Sequence, residues 1–305
     1  MNDSNPITKE KDQEISRLVN PIIGVVSLLV AAPLFIFLHR YIPNLQWPYH
    51  MDRLLLALFT LLLVFFIFIK MKGLVIASFL ATFIGLSYAQ FTNRYCFDNV
   101  YEDYRALLYS LKDSPHPEEF VIANFTPFPN KSKFLEGINF ENPIVRNYAL
   151  NATSRHFVDY QKRVKYRVIL QSFAIFKEIN ANWNYVSDPK SREYLAKASE
   201  SIEHLSGDCD DHSILMAACI KSVGGTPRLI YTKRHVYPEI LIGSQSDMEA
   251  LNYLIREKLF KYEIGDETLH YHVDERNRIW LNLDYTAQYP GGKFLKEEVL
   301  GVLSL

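Results

Sequence analysis

Gly207-Asp208-Cys209-Asp210-Asp211-His212 runs directly into an apolar helical segment, Ser213 to Val223, and this junction decides how the second half of the chain is read. The first N–H groups of a helix have no partner within it and carry the positive end of the macrodipole. A cysteine placed there has its thiolate favoured. Asp208 is an N-cap residue by type, and Gly207 frees the turn before it. Cys209 is therefore a candidate nucleophile that needs a base and a group to orient the base. Cys219, farther along the same helix, is turned away from the Cys209 face and reads as a small core residue.

Working outward, the periodicity predicts a helix from Pro143 through Phe157 and another over Val164 to Asn180. A turn follows at Ser187-Asp188-Pro189, then a helix over Ser191 to Leu205. Beyond the cysteine helix, Gly224-Gly225-Thr226-Pro227 is a stop. Strands are expected over Arg228 to Thr232, His235 to Ile242 and Ile279 to Leu283. Ser246 to Tyr262 has helical spacing between the last two. Helices first and strands after predict an α+β domain. His235 opens one strand and Asp284 closes another, Trp280-Leu281-Asn282-Leu283-Asp284. If those strands are neighbours in an antiparallel sheet packed on the cysteine helix, the imidazole can take the thiol proton while the carboxylate holds its tautomer and orientation.

In ordered pieces, this stretch resembles the transglutaminase-like superfamily of papain-like thiol enzymes. The pieces are Trp183-Asn184-Tyr185-Val186-Ser187-Asp188-Pro189, the cysteine motif, and Gly224-Gly225-Thr226-Pro227-Arg228. They continue with His235-Val236-Tyr237-Pro238-Glu239 and Trp280-Leu281-Asn282-Leu283-Asp284-Tyr285-Thr286. The resemblance covers about 143–290 and implies a papain-like domain with helices packed on an antiparallel sheet. It implies Cys209 as nucleophile, His235 as general base and acid, and Asp284 as the orienting carboxylate. It also implies an oxyanion donor beside the Cys209 N–H, for which Trp183 and Tyr185 are the upstream aromatic candidates. Asp208 and Asp211 support the helix start. The sequence departs from the family pattern at Tyr237, where tryptophan is usual, and at Tyr285, where proline is usual. An insertion, 243–274, separates base from acid and is expected to cap the site, gate it or elaborate the surface.

The chemistry so implied is attack on an amide or peptide carbonyl through a thioester. The acceptor is then water, in a protease or amidase, or an amine, in a transglutaminase or acyltransferase. A non-catalytic peptide- or protein-binding module of the same fold is the alternative class. Asp208, Cys209, Asp210, Asp211 and His212 are all metal-ligand types, but contiguous helical positions point apart, and neither a Cys-x-x-Cys nor a His-x-x-x-His pair occurs. No metal or cofactor is expected. His270 and His272 could ligate from a strand face, but the surface is the position expected of them.

The first ninety residues are a different material. Ile22 to Leu38, Leu54 to Ile69 and Leu74 to Ala89 carry no charge and approach the ~20 residues that cross a bilayer as a helix. Three transmembrane helices are expected within 21–92, after a polar N-terminal tail, 1–20. Trp47, Tyr49, Tyr88 and Tyr95 lie at interfacial positions. A buried hairpin in a soluble core fits three such runs poorly, and a cleaved signal peptide fits worse. Lys9, Lys11, Arg17, Lys70 and Lys72 lie on one side, and Arg40, Arg53, Arg94 and Arg105 on the other. This bias predicts a cytoplasmic N-terminus and an extracytoplasmic catalytic domain. A connector, 93–142, is expected to hold one helix, Val100 to Leu111, and an irregular Pro-rich segment before the catalytic domain, 143–305. A net charge of −1 over 305 residues gives no basic surface for nucleic acid. The expected partners are the lipid bilayer and a protein or peptide substrate near it. Three cysteines, Cys96, Cys209 and Cys219, are too few for a disulfide framework.

Overall fold

The computed structural model describes residues 6–42, 47, 50–92, 97–111, 117–121, 127–162, 164–188, 194–295 and 297–305, with the side chains of 6–18 and 40 set aside. Tyr49, Arg94, Tyr95, Cys96, Pro189 and Ser191 lie outside the described residues. Contacts divide the chain into two units, 1–100 and 101–305.

In the first unit the uncharged runs form α1 (Pro6–Tyr41), α2 (Met51–Lys70) and α3 (Lys72–Phe91). The stretches Val19–His39, Met51–Lys70 and Lys72–Phe91 are each long and apolar enough to span a membrane. The expected polar tail is not separate from the first span, because α1 is helical from Pro6 onward. Helix α1 packs on α2 through small and branched residues, with Ile23, Ser27, Ala31 and Thr60 buried. The Arg53 guanidinium donates to the carbonyl oxygens of His39 (3.3 Å) and Ile42 (3.1 Å), satisfying acceptors that the end of α1 leaves open. Large apolar side chains such as Leu28, Phe59, Leu62, Phe66 and Ile84 point outward. Water would penalise that surface, and lipid would not.

The second unit is α+β. It begins within α4 (Phe97–Tyr109), followed by β1 (Glu118–Val121), α5 (Lys131–Gly137), α6 (Pro143–Arg155), α7 (Arg167–Asn182), β2 (Asn184–Tyr185), α8 (Ala198–His204), β3 (Ser206–Gly207) and α9 (Cys209–Ser222). Then come β4 (Pro227–Tyr231), β5 (Val236–Gly243), α10 (Gln245–Leu254), α11 (Lys261–Ile264), β6 (His270–Val273), β7 (Ile279–Asn282) and β8 (Gly301–Ser304). The main sheet has the order β1-β6-β7-β5-β4-β8. It is mixed, not wholly antiparallel as expected, because β1 pairs in parallel with β6. Residues 101–142, expected as a connector, thus contribute part of α4, the edge strand β1 and helix α5 to this unit.

Alternation along the strands gives the sheet two faces. Leu229, Val236, Ile240, Ile279, Leu281 and Leu303 join the core on one of them. Helix α9 lies in that core among α6, α7, α8 and β5, and every residue from Ile214 to Ile220 is fully buried. At about 1.5–3 kcal/mol for each large side chain removed from water, burial of Ile214, Leu215, Met216 and Ile220 anchors this helix firmly in the unit. The other face carries a buried charge cluster. Arg228 pairs with Glu239 at 2.6–2.7 Å, His272 bonds the same carboxylate, and the Arg228 guanidinium lies 4.2 Å over Trp280. His270 and His272 are therefore buried, contrary to the surface position expected of them. Strand β6, which carries them, sits between β1 and β7, and Phe294 stacks on His272 at 4.0 Å.

The insertion also departs from expectation. Leu251, Tyr253, Leu254, Ile255 and Phe260 belong to the core, with Phe260 set edge-on to Phe157, Phe173 and Phe176. The Tyr253 hydroxyl donates to Glu102 of α4 (2.9 Å). The insertion adds a packed layer and strand β6 instead of surface elaboration.

Candidate active site

Helix α9 starts where the sequence places it. Asp208 is the N-cap, with its carboxylate accepting from the Asp210 N–H (3.0 Å). Asp211, one turn in, accepts from the Ala196 N–H (2.7 Å) and from the N–H of Asp208, closing the cap from both ends. Burial raises the Asp211 carboxyl to about 6. Gly207 is required here: a Cβ at that position would lie 2.6 Å from the Asp211 Cβ. Asp208 and Asp211 thus brace the helix start.

A two-residue parallel ladder, β2 with β3, sets Asn184 opposite Ser206 and Tyr185 opposite Gly207. The upstream aromatic motif is thereby laid beside the cysteine turn. Trp183 packs edge-on to His212 at 5.3 Å, and its indole N–H is buried with no acceptor among the described residues. Tyr185, more than half exposed, stacks on Tyr285 at 5.7 Å.

Val236, the first residue of β5, is held to α9 on both sides of its backbone. Its N–H donates to the Cys209 sulfur, and its carbonyl accepts from the Ser213 hydroxyl at 3.0 Å. This ties the start of β5, which His235 immediately precedes, to the first turn of α9. The His235 Nε2 bonds Asp284 Oδ2 at 2.8 Å, with both side chains buried. Because Nε2 engages the carboxylate, Nδ1 is the ring nitrogen left for a proton transfer. Asp284 is held in turn by the Thr286 hydroxyl (2.9 Å) and by its own N–H donating to Asn282 Oδ1 (3.0 Å). Two further aromatic rings pack against the imidazole. Tyr237 stacks on it at 5.7 Å, and Tyr285 meets it edge-on at 5.9 Å.

No known family profile, curated protein or solved structure matches the chain.

The electrostatics differ from what a helix start alone predicts. Burial pushes the Cys209 thiol far up, with Asp210 and Asp208 adding to the effect and the Val236 N–H opposing it. This favours the protonated sulfur, which donates to Asp210 Oδ1 at 3.4 Å. A second correction concerns contiguous ligand types. Donor atoms of Asp208, Cys209 and Asp210 lie within 4.8 Å of one another, because Asp208 has the extended backbone of a cap and folds its carboxylate back over the first turn. Helical divergence begins only after the cap. Cys219 is buried in the core of α9, as its position predicts.

Sequence reasoning passed over four supporting residues: Ser213, Asn282, Thr286 and Asn180. The first three hold the backbone or the acid, and polar residues of these types ordinarily signal only turns or solvent. Asn180 accepts from His212 at the end of α7, where nothing in the periodicity marks it.

Proposed function

We propose that this chain is a membrane-anchored thiol enzyme of transglutaminase-like, papain-type organisation that acts on amide or peptide bonds. The observation carrying this reading is the convergence of the Cys209 sulfur on the Val236 N–H, with the adjoining His235 bound to Asp284 at 2.8 Å. In this reading Cys209 attacks the carbonyl carbon as its proton passes to His235 Nδ1. The imidazolium so formed is stabilised by Asp284 and delivers that proton to the departing amine, leaving a thioester. The Cys209 N–H at the start of α9 is one oxyanion donor, and the unengaged Trp183 indole N–H and the Tyr185 hydroxyl are the candidates for the second. Water then attacks the thioester, with His235 as base, releasing the acid and restoring the thiol. Tethering by α1–α3 concentrates the domain on substrates at the membrane, and the Lys/Arg bias favours a position outside the cytoplasm.

Two measurements test the reading. A thiol-directed electrophile, with labelling followed peptide by peptide, is expected to modify Cys209 faster than Cys96 or Cys219. Equal rates would remove the enzyme and leave a binding module. A labelled primary amine supplied with a glutamine peptide separates the acceptors: covalent amine incorporation would replace hydrolysis by acyl transfer. A C-terminal reporter active only in the cytoplasm is expected to stay silent.

A further inference from the structure

His212 is wholly buried three residues after Cys209, and the chemistry above does not use it. Its environment fixes its protonation in an ordered way. The Ala287 carbonyl can only accept, so the group of Asn180 lying 3.1 Å from it is the amide NH2. Asn180 Oδ1 therefore faces His212 Nε2 at 3.0 Å, and that nitrogen carries the proton. Burial lowers His212 to about 4, so the ring is neutral near pH 7. A directed chain results: His212 Nε2–H to Asn180 Oδ1, then Asn180 Nδ2–H to Ala287 O.

Its two ends are the significant part. Ala287 ends the turn that begins at Asp284, and the Ala287 N–H donates to the Asp284 carbonyl. The same turn carries Tyr285, whose ring contacts both His212 (5.2 Å) and His235 (5.9 Å). Helix α9 thus grips the base through Cys209 and Ser213 on Val236, and grips the acid's turn through His212 and Asn180. We propose that His212 and Asn180 are positioning residues that lock the turn bearing Asp284 to the helix bearing Cys209, so that acid, base and nucleophile share one frame. This rests on the thiol reading above. Neither residue touches the reacting atoms; they act by holding Asp284 and Tyr285 against His235.

The test uses the full chain in detergent, with iodoacetamide as probe and Cys96 and Cys219 as internal references. Asn180→Ala breaks both links. Asn180→Asp keeps the acceptor for His212 and nearly the same shape but removes the donor to Ala287. Both are expected to slow Cys209 labelling on the order of a hundredfold, the usual consequence of misplacing a catalytic group by about an ångström. Both should also move the midpoint of the labelling pH profile upward. His212→Gln retains a donor at the Nε2 position and is expected to label near the wild-type rate, whereas His212→Leu should match Asn180→Ala. The double variant should be no slower than either single one, because both break one chain. A loss of thermal stability with an unmoved pH midpoint would make the chain merely structural and overturn the proposal. Wild-type rates in both Asn180 variants would do the same. If wild-type Cys209 itself labels no faster than the reference cysteines, the thiol reading fails first and the positioning role falls with it.

Discussion

Replacing His212 with glutamine isolates the linkage between one buried histidine and the stability of the fold. The ordinary imidazole value of 6.5 falls to about 4 in the folded chain because burial disfavours the cation; Asp284 partly opposes this, and His235 adds to it. A histidine whose folded value is depressed binds fewer protons folded than unfolded between those limits. Stability from this residue is therefore fully present above pH 6.5 and is lost as pH falls toward 4. The gap, at about 1.4 kcal/mol for each pH unit, corresponds to about 3 kcal/mol. Glutamine keeps the donor to Asn180 Oδ1 but cannot titrate, so the variant should lack this loss. For a unit of this size each kcal/mol moves the midpoint by about 2–4 °C, and the wild-type advantage should shrink by about 6–12 °C from pH 7 to pH 4. Tryptophan fluorescence on heating, with Trp183 and Trp280 inside the unit, reads the transition. Asp211, raised to about 6, works in the opposite direction, since an acid with an elevated folded value destabilises as pH rises through it. It is common to both proteins and cancels in the difference. Parallel midpoint curves for wild type and His212→Gln across this range would refute the assignment of a neutral, buried His212.

The acidic neighbours give a prediction of opposite sense. Asp210→Asn removes a charge that pushes the Cys209 thiol up, so alkylation of Cys209 at pH 7 should accelerate by about tenfold for each unit its pKa falls; a slower rate would show Asp210 to be an activator. Glu239→Gln leaves the Arg228 cation buried without its counter-charge and should lose about 3–5 kcal/mol in thermal unfolding, and a loss below about 1 kcal/mol would contradict the buried pair. Gly207→Ala drives a Cβ into Asp211 and should lower both the midpoint and Cys209 labelling. Adding Asp211→Gly removes the Cβ as well as the carboxylate that the new methyl would meet, so the double variant should lose less than the two single losses combined, and strict additivity would argue against the contact.

Much of the second unit was legible because its residues obey local rules. Asp208 and Gly207 announce the start of α9, the run Ile214–Ile220 reads as buried, and the β4, β5 and β7 boundaries follow alternation and turn residues. His235 and Asp284 come together because β5 and β7 pair with Glu239 opposite Asn282, and the sequence reading requires only that these strands be neighbours. Strand β6 escaped detection because His270-Tyr271-His272-Val273 puts titratable residues on the face that the Arg228–Glu239 pair makes habitable. Strand β1 escaped for a different reason. Glu118-Glu119-Phe120-Val121 is exposed throughout, so no apolar alternation marks it, and its pairing with β6 is a long-range contact. The Asn180 link was invisible on the same ground, since it joins α7 to a turn 107 residues away in sequence.

The thiol's resting state follows from a balance the motif alone does not reveal. A helix start favours a thiolate through unpaired N–H groups and the macrodipole, a stabilisation of roughly 0.3–1 kcal/mol at an exposed end. Here the sulfur is partly buried, and the carboxylate that caps the helix lies beside it, as does Asp210. The cap that makes the helix therefore works against the anion at its first residue. In the proposed chemistry this shifts the burden of activation from the helix to His235 and Asp284. The proton must leave as the carbonyl is attacked, and the cation that forms on His235 is stabilised by the buried Asp284 carboxylate. That chemistry also makes reactivity depend on the placement of the acid's turn, to which the hydrogen bonds from His212 through Asn180 to Ala287 are joined.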